Sequence, residues 1–269
     1  MIDLIQITND PAFARRCDAL QGLRIMVDLE RLGKAERQAG RNTFISQHTR
    51  ADVGRVRGVL RQSRLMVRVN PLNPGSREEV DAVLAEGAQL LMLPMFTAPV
   101  QVREFAELVA GRAPIVTLLE TAGALDSLPD WIGTPGLHEV FVGLNDLHLS
   151  LGLRFMFEPL AQGLVDRVAA QVHAHGLRLG FGGIARLDEG LLPGRDVLAE
   201  HLRLGSRSVI LSRTFHRDAE DGSRFEQEVA ALREEERRLA GRSAQQVQQD
   251  AARTAAAIRS IAAAVAPKA

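Results

Sequence analysis

The sequence predicts an α/β protein, a (β/α)8 TIM barrel with a C-terminal helical extension. Eight short apolar runs alternate with amphipathic helix patterns over roughly 215 residues, and such a barrel has this number of strands and this length. Runs such as "LLMLP" and "VFVG" are continuously apolar, as expected for parallel strands that are buried on both faces. An open doubly wound sheet is the alternative, but "GFGG" at 180–183 lacks the G-x-G-x-x-G spacing of a dinucleotide-binding turn.

The predicted strands, in chain order, are Ile2–Thr8, Arg24–Leu29, Leu65–Val69, Leu90–Pro94, Ile115–Leu119, Glu139–Gly143, Arg178–Phe181 and Ser208–Ser212. Between them lie segments such as "SREEVDAVLAEG", whose apolar residues recur at helical spacing. Ser76 and Glu79 have the spacing of a capping box at the start of this helix, and Gly87 is placed to end it.

The barrel domain is expected to span residues 1–217, and the helical extension residues 218–269. In the extension, Ser243 and Gln246 form a second capping-box pattern, and a mostly apolar stripe follows it at helical spacing. The members of the stripe are Val247, Ala251, Thr254, Ile258, Ile261 and Val265. Such a stripe packs either on the protein's own barrel or on another subunit. Because an exposed apolar stripe has no purpose on a monomer, we predict a homo-oligomer.

Composition excludes several classes of function. Lysine plus arginine and aspartate plus glutamate number 33 each, so no net charge attracts nucleic acid or an anionic membrane. Tyrosine is absent, which disfavours base stacking. The single cysteine, Cys17, excludes an internal disulfide, and no apolar run approaches the ~20 residues of a membrane span. We therefore expect a cytoplasmic protein without a nucleic-acid or membrane partner.

Polar residues lie at or just beyond the C-terminal ends of the predicted strands, where a barrel of this kind carries its chemistry. They are Asp28, Glu30, Arg68, Asn70, Glu120 and Asp146. Glu120 and Asp146 follow neighbouring strands and could supply two oxygen ligands to a divalent ion such as Mg²⁺. Each also has a structural reading, Glu120 in a first helical turn and Asp146 as a helix N-cap. A buried Arg68 needs an anionic partner, which a carboxylate or enolate substrate would supply.

Three segments carry a resemblance: "GAQLLMLPMFTAPVQVREF", "PIVTLLETAGALDSL" and "VFVGLNDLHLSLG". Together they resemble the family that contains 2,4-dihydroxyhept-2-ene-1,7-dioate aldolase and the citrate lyase beta subunit. The similarity covers Leu65 to Phe215 well and Arg24 to Val53 more loosely. Its strongest feature is the pair "LLET" and "GLNDL" in this order and strand context.

The resemblance implies a barrel that forms or cleaves carbon–carbon bonds next to a 2-oxo acid or an acyl thioester. It implies that Glu120 and Asp146 bind Mg²⁺ or Mn²⁺, and that Arg68 binds substrate and steadies enolate charge. The aldolase branch adds a histidine that moves protons together with an aspartate, which here points to His48 and Asp28. His48 is alternatively a surface residue near a helix start. Glu30 and Asn70 are expected to contact the substrate. Gly143 and Asn145 are expected to contact it as well, through the backbone amides of this segment.

The function predicted from these residues is that of a class II aldolase. A metal-dependent lyase of this class joins the enolate of pyruvate, or of a related 2-oxo acid, to an aldehyde or reverses that reaction. A Schiff-base lysine is not required, and Lys34 and Lys268 are the only lysines. The "RVNP" of Arg68–Pro71 instead resembles the citrate lyase side, so an acyl-CoA thioester lyase is the first alternative. A non-catalytic barrel scaffold is the second.

An insertion of 17 residues, Arg31–Gln47, interrupts the repeat after the second strand. Lys34, Arg37 and Arg41 recur in it at spacings of three and four, so a helix there would present one cationic face. That face is either a solvated surface balanced by nearby glutamates or a pocket wall that binds an anionic substrate. Lys34, Arg37 and Arg41 are therefore predicted to bind substrate.

Overall fold

The computed structural model describes residues 1–33, 46–216 and 222–265. Eight parallel strands close into a barrel in sequence order, which confirms the predicted fold and excludes the open sheet. The strands are β1 Asp3–Ile7, β2 Leu23–Asp28, β3 Leu65–Arg68, β4 Leu90–Leu93, β5 Ile115–Leu119, β6 Leu137–Val142, β7 Arg178–Ile184 and β8 Ser208–Leu211.

Helices connect the strands and follow the last one. Those in the first half are α1 Pro11–Asp18, α2 Arg50–Arg57, α3 Ser76–Ala85, α4 Pro99–Val109, α5 Ala122–Asp126 and α6 Leu128–Trp131. Those in the second half are α7 Leu144–Ser150, α8 Glu158–Ala161, α9 Leu164–Ala174, α10 Gly194–Arg203, α11 Gly222–Ala240 and α12 Ala244–Ala264. None of the described helices is long and apolar enough to cross a membrane.

The start of α3 differs from the prediction. Gly75 is the N-cap, Ser76 is the first helical residue, and no side chain caps the helix. The Ser76 hydroxyl instead accepts the N–H of Asn73 (2.9 Å), and the Glu79 carboxylate binds Asn70 outside the helix (2.8 Å). The predicted capping box is therefore wrong, because both side chains have other partners. Gly87 does follow the helix, with a φ of 93°.

The chain forms two compact units. The first unit is Leu4–Phe141, and the second comprises Met1–Asp3 with Val142–Ala269. The first unit contains β2 to β5 and all but one residue each of β1 and β6. The boundary predicted between residues 217 and 218 lies outside the described residues and stays a prediction.

A buried ion pair joins two distant strands inside the first unit. Arg24 in β2 donates from Nη1 to Glu139 Oε2 in β6 (2.9 Å), and both side chains are almost completely buried. The two strands are four places apart in the barrel order, so the contact is not between sheet neighbours. Burying two charges is tolerated when each has a close partner of opposite charge, as here.

The second unit holds a buried histidine that the sequence pattern did not single out. The ring of His201 in α10 stacks on Phe181 of β7, with centroids 3.7 Å apart and an interplanar angle of 2°. Its Nδ1 lies 2.8 Å from the Ser206 hydroxyl. Burial lowers the pKa of His201 to about 3, so the ring is neutral at neutral pH and acts as a packed aromatic group.

Helix α12 begins as predicted and packs within its own unit. Ser243 accepts the N–H of Gln246 (3.3 Å), whose side chain accepts the N–H of Ser243 (2.8 Å), which confirms this capping box. Thr254 and Ile258 of the apolar stripe are buried, and the helix contacts α8 and α10 of the same chain. This part of the stripe thus packs on its own chain, which was one of the two alternatives. The homo-oligomer stays a prediction.

Candidate active site

The geometry of the site begins with the register of two neighbouring strands. β2 and β3 pair so that Asp28 lies opposite Arg68 at their C-terminal ends. Arg68 donates from Nε to Asp28 Oδ1 (2.8 Å) and from Nη2 to Asp28 Oδ2 (2.7 Å). This two-pronged contact matches the planar guanidinium to the planar carboxylate, and it fixes the orientation of both side chains.

Glu30 extends this contact into a small network. Its backbone N–H donates to Asp28 Oδ1 (3.2 Å), and its carboxylate Oε2 lies 3.4 Å from Arg68 Nε. Burial opposes the charge on the Arg68 guanidinium, but Asp28, Glu30 and Glu120 outweigh it and raise the pKa of Arg68 above its usual value. Arg68 is therefore a permanent cation held among carboxylates.

The anionic partner of Arg68 differs from the predicted one. The anionic partner that its burial requires is supplied by Asp28, so charge balance alone does not call for a substrate anion. Within residues 1–33, 46–216 and 222–265, however, its Nη1 has no hydrogen-bond acceptor, and the side chain keeps 14% of its surface exposed. One edge of the guanidinium is thus engaged, and Nη1 remains able to donate to a ligand.

His48 lies next to this network, at the end of the described segment that precedes α2. Its ring is buried, and Nδ1 accepts a hydrogen bond from the backbone N–H of Asp28 (3.0 Å). A nitrogen that accepts from an amide carries no hydrogen, so the neutral ring is assigned its hydrogen on Nε2. The surface alternative for His48 is wrong, because the residue is only 8% exposed. Its catalytic role stays a prediction.

Glu120 follows β5 directly and is buried. Its Oε1 accepts the backbone N–H of Met95, in the loop after β4 (3.0 Å). Met95 has a φ of 56°, a conformation that costs a residue with a side chain on the order of 1 kcal/mol or more. In this strained conformation, the backbone N–H of Met95 points at the Glu120 carboxylate.

Neighbouring contacts hold the loops after β4 and β5 together. The Thr121 hydroxyl donates to the carbonyl of Phe96 (2.7 Å) and accepts the N–H of Ala124 (3.0 Å), so it also caps α5. Gly123 lies so close to this loop that a Cβ there would approach the carbonyl oxygen of Thr97 to 2.5 Å. Only glycine allows this approach, so the loop after β4 packs directly against the backbone that follows Glu120.

Asp146 belongs to the second unit, where it lies in the first turn of α7 and is half-buried. The helix follows β6 after the single residue Gly143, which is its N-cap. Asp146 is therefore three residues inside the helix and is not the N-cap. Gly143 is half-buried and Asn145 is exposed. Binding of substrate by Gly143 and Asn145 stays a prediction.

The chemistry of these donors suits a hard divalent cation. Glu120 and Asp146 offer carboxylate oxygens, which are the ligands that Mg²⁺ and Mn²⁺ prefer. In the described part of the chain, no three His, Cys, Asp or Glu side chains cluster as a metal site. Each carboxylate is thus a donor of the kind that sites for such a cation use.

The remaining predicted residues fall into two groups. Lys34, Arg37 and Arg41 lie outside the described residues, so their predicted substrate contacts stay untested. The side chain of Asn70 is engaged by the protein itself, since it binds the backbone after Glu30 and the carboxylate of Glu79. A direct contact of its amide with substrate would require one of these hydrogen bonds to open.

Sequence reasoning missed two features of the site. One is the positive φ of Met95, because a methionine in the sequence gives no indication of such a conformation. The other is the link from Glu79 to Asn70, which the capping-box pattern concealed. An asparagine just after a strand, followed nine residues later by a glutamate on the next helix, is a weak signal that could have suggested the link.

Comparison with known proteins identifies the family of the chain. The model of the HpcH/HpaI aldolase/citrate lyase family matches residues 7–158, which is more than half of the chain. The match includes every predicted site residue from Asp28 to Asp146. No curated protein sequence matches at a significant level.

Several solved structures share the fold at low sequence identity. An HpcH/HpaI aldolase/citrate lyase family protein from Burkholderia cenocepacia J2315 is 18% identical with a TM-score of 0.62, over 85% of this chain and 95% of that one. The HpcH/HpaI aldolase from Desulfitobacterium hafniense DCB-2 is 15% identical with a TM-score of 0.61, over 82% and 91%. The citrate lyase beta subunit from M. tuberculosis, complexed with oxaloacetate and magnesium, is 18% identical with a TM-score of 0.60, over 88% and 97%.

The fold and the family model together define a lyase built on a (β/α)8 barrel. The chain belongs to the HpcH/HpaI aldolase/citrate lyase family.

Proposed function

We propose that this protein is a metal-dependent class II aldolase that joins the enolate of pyruvate, or of a related 2-oxo acid, to an aldehyde and reverses that reaction. The observation that carries the proposal is Arg68, a permanent cation fixed by Asp28, with Nη1 able to donate to a ligand. A fixed donor stabilises negative charge as it develops without having to reorganise during the reaction. An enolate is the charged species that members of this family form.

Glu120 and Asp146 are the residues that would hold Mg²⁺ or Mn²⁺. When bound, the cation supplies Lewis-acid chemistry by polarising the keto oxygen of the 2-oxo acid. The contact with Met95 supports a ligand role for Glu120, since a strained backbone amide restrains one carboxylate oxygen and with it the direction of the group. Such restraint of a ligand by its neighbours is common in metal sites.

Arg68 binds and orients the anionic substrate. Asp28 and Glu30 hold Nε and Nη2 of the guanidinium, so Nη1 donates to the substrate carboxylate or to the enolate oxygen. Backbone amides of Gly143 to Asn145 are proposed as further donors to this charge. The buried surroundings strengthen each of these contacts, because fewer water molecules compete for them.

His48 is proposed to act from Nε2. Because Nδ1 accepts the amide hydrogen of Asp28, the neutral ring presents Nε2–H as a donor. We propose that this nitrogen is the one that acts on the aldehyde oxygen, on which charge develops as the carbon–carbon bond forms. A role as a base would require the other tautomer, and hence loss of the bond to Asp28.

An acyl-CoA thioester lyase is the second candidate. The "RVNP" sequence favours it, and one structural relative is a citrate lyase beta subunit complexed with oxaloacetate and magnesium. The same arginine and carboxylates would then stabilise the enolate of a thioester instead of that of a 2-oxo acid.

Substrate cleavage assays distinguish these functions. The protein is incubated with Mn²⁺ and either 4-hydroxy-2-oxo acids or malyl-CoA and citramalyl-CoA. We expect release of pyruvate from the hydroxy-oxo acids, and loss of that release after treatment with EDTA. Cleavage of the thioesters alone would establish the second candidate. If the protein cleaves neither class of substrate, with or without metal, the non-catalytic scaffold is the function that remains.

A further inference from the structure

The side chain of Asn70 uses every polar atom that it has. Its Oδ1 accepts the backbone N–H groups of Arg31 (2.9 Å) and Leu32 (3.0 Å). Its Nδ2 donates to Glu79 Oε1 (2.8 Å), and its backbone N–H donates to Glu79 Oε2 (3.2 Å). Asn70 thus connects the loop after β2 with helix α3.

Glu79 determines which way this amide faces. A carboxylate that carries its charge only accepts hydrogen bonds, so the NH₂ group of Asn70 must face it. The amide oxygen is then directed at the N–H groups of Arg31 and Leu32. Without Glu79 the amide could rotate by half a turn, and its NH₂ group would face the two backbone donors. That arrangement would break both hydrogen bonds.

The backbone that Asn70 holds leads directly into the candidate active site. Arg31 follows Glu30, whose carboxylate lies 3.4 Å from Arg68 Nε and whose N–H binds Asp28. The Arg31 guanidinium also donates from Nη2 to the backbone carbonyl of His48 (2.8 Å). Fixing the peptide after Glu30 therefore restrains Glu30, which lies beside Arg68, and His48, which Arg31 binds.

We propose that Glu79, acting through Asn70, is a positioning residue for catalysis: it holds the loop after β2 so that Glu30 and His48 stay aligned with Arg68. Glu79 does not touch substrate in this role. The catalytic part of the inference rests on the proposed function, whereas the tether itself is a property of the fold. The two can be measured separately.

The chain allows an exchange of the two groups that preserves the charge. Asn70→Asp puts a second carboxylate against Glu79, and Glu79→Gln leaves one of the two Asn70 donors without an acceptor. The double variant Asn70→Asp/Glu79→Gln reverses the polarity of the pair. Its new carboxylate accepts from Arg31, Leu32 and the glutamine NH₂, and the glutamine oxygen accepts the N–H of residue 70. All four hydrogen bonds are restored.

Two readouts are compared in the metal-loaded protein, namely kcat for release of pyruvate and hydrogen–deuterium exchange of the Arg31 and Leu32 amides. Each single variant is expected to lower kcat by about tenfold to a hundredfold, since small misplacement of catalytic groups has effects of this size. Each is also expected to speed exchange of the two amides. The double variant should recover kcat to within about threefold, together with slow exchange. Glu78→Gln, the same substitution on an exposed neighbour, should change neither readout.

Different results overturn different claims. Fast amide exchange in the single variants with wild-type kcat would overturn the positioning role, and so would restored protection in the double variant without restored kcat. Slow exchange in both single variants would overturn the tether. A wild-type protein without lyase activity would instead refute the proposed function and with it the catalytic part of this inference. Exchange of the two amides would still test the tether in that protein.

Discussion

At the scale of single residues, the site depends on an arginine that is held at two of its three nitrogens. Asp28 and Arg68 meet because β2 and β3 pair in register at their ends, and the bidentate contact uses Nε and Nη2 but not Nη1. We propose Nη1 as the donor for a ligand. A lysine at this position would have one ammonium group for both tasks. It could satisfy Asp28 or donate to substrate, but it lacks the fixed fork that does both.

Substitution of Arg68 tests this division of labour. Arg68→Lys is expected to lower kcat/KM by roughly 10²-fold or more, the size of effect seen when one fixed donor to a developing oxyanion is removed. Arg112→Lys is the matched control, because Arg112 is an exposed residue that pairs with Asp81. Steady-state kinetics with a 4-hydroxy-2-oxo acid measure both variants. Unchanged kcat/KM in Arg68→Lys would reduce Arg68 to a structural ion pair.

At the scale of elements, strands were easier to predict than side-chain contacts. All eight strands followed from apolar runs, since a strand buried on both faces has little choice of composition. β7 continues to Ile184, beyond the predicted end at Phe181, because glycine carries no apolar signal. Ser76 and Glu79 had the spacing of a cap but found partners in other segments. The residues at the strand ends were predictable, whereas their pairing depends on register and on rotamers that no local pattern encodes.

Helix α12 contains a second test of local packing. Thr254 is buried, and its hydroxyl has no hydrogen-bond partner among the described residues. Thr254→Val removes this hydroxyl with little change of shape, so the free energy of unfolding is expected to rise by about 1 kcal/mol. Urea titration measures the change.

The same substitution at Thr121 is a matched control of opposite sign. The Thr121 hydroxyl makes two hydrogen bonds, one of which caps α5. Thr121→Val is therefore expected to lower the free energy of unfolding by about 1–2 kcal/mol. Destabilisation by Thr254→Val would show that its hydroxyl has a partner after all.

At the scale of the whole molecule, the barrel brings polar residues from distant parts of the sequence into one network. Asp28 and Arg68 end β2 and β3, and Glu120 directly follows β5. The carboxylates of Asp28, Glu30 and Glu120 all stabilise the charge of Arg68. This convergence is a property of parallel strands, whose C-terminal ends share one face of a barrel. Family membership makes the protein a lyase, and stabilisation of an enolate by Arg68 is the proposed basis of its activity.

Exchange of the methyl protons of pyruvate with D₂O tests enolate formation directly, because it needs no knowledge of the aldehyde. NMR of pyruvate with the wild-type protein should show exchange that requires Mg²⁺ or Mn²⁺ and stops when EDTA is added. Glu120→Gln and Asp146→Asn should each abolish exchange while leaving the folded structure intact, since each replaces a charged oxygen ligand by an amide of similar volume. Exchange that persists in EDTA, or in both variants, would contradict a metal-stabilised enolate at this site.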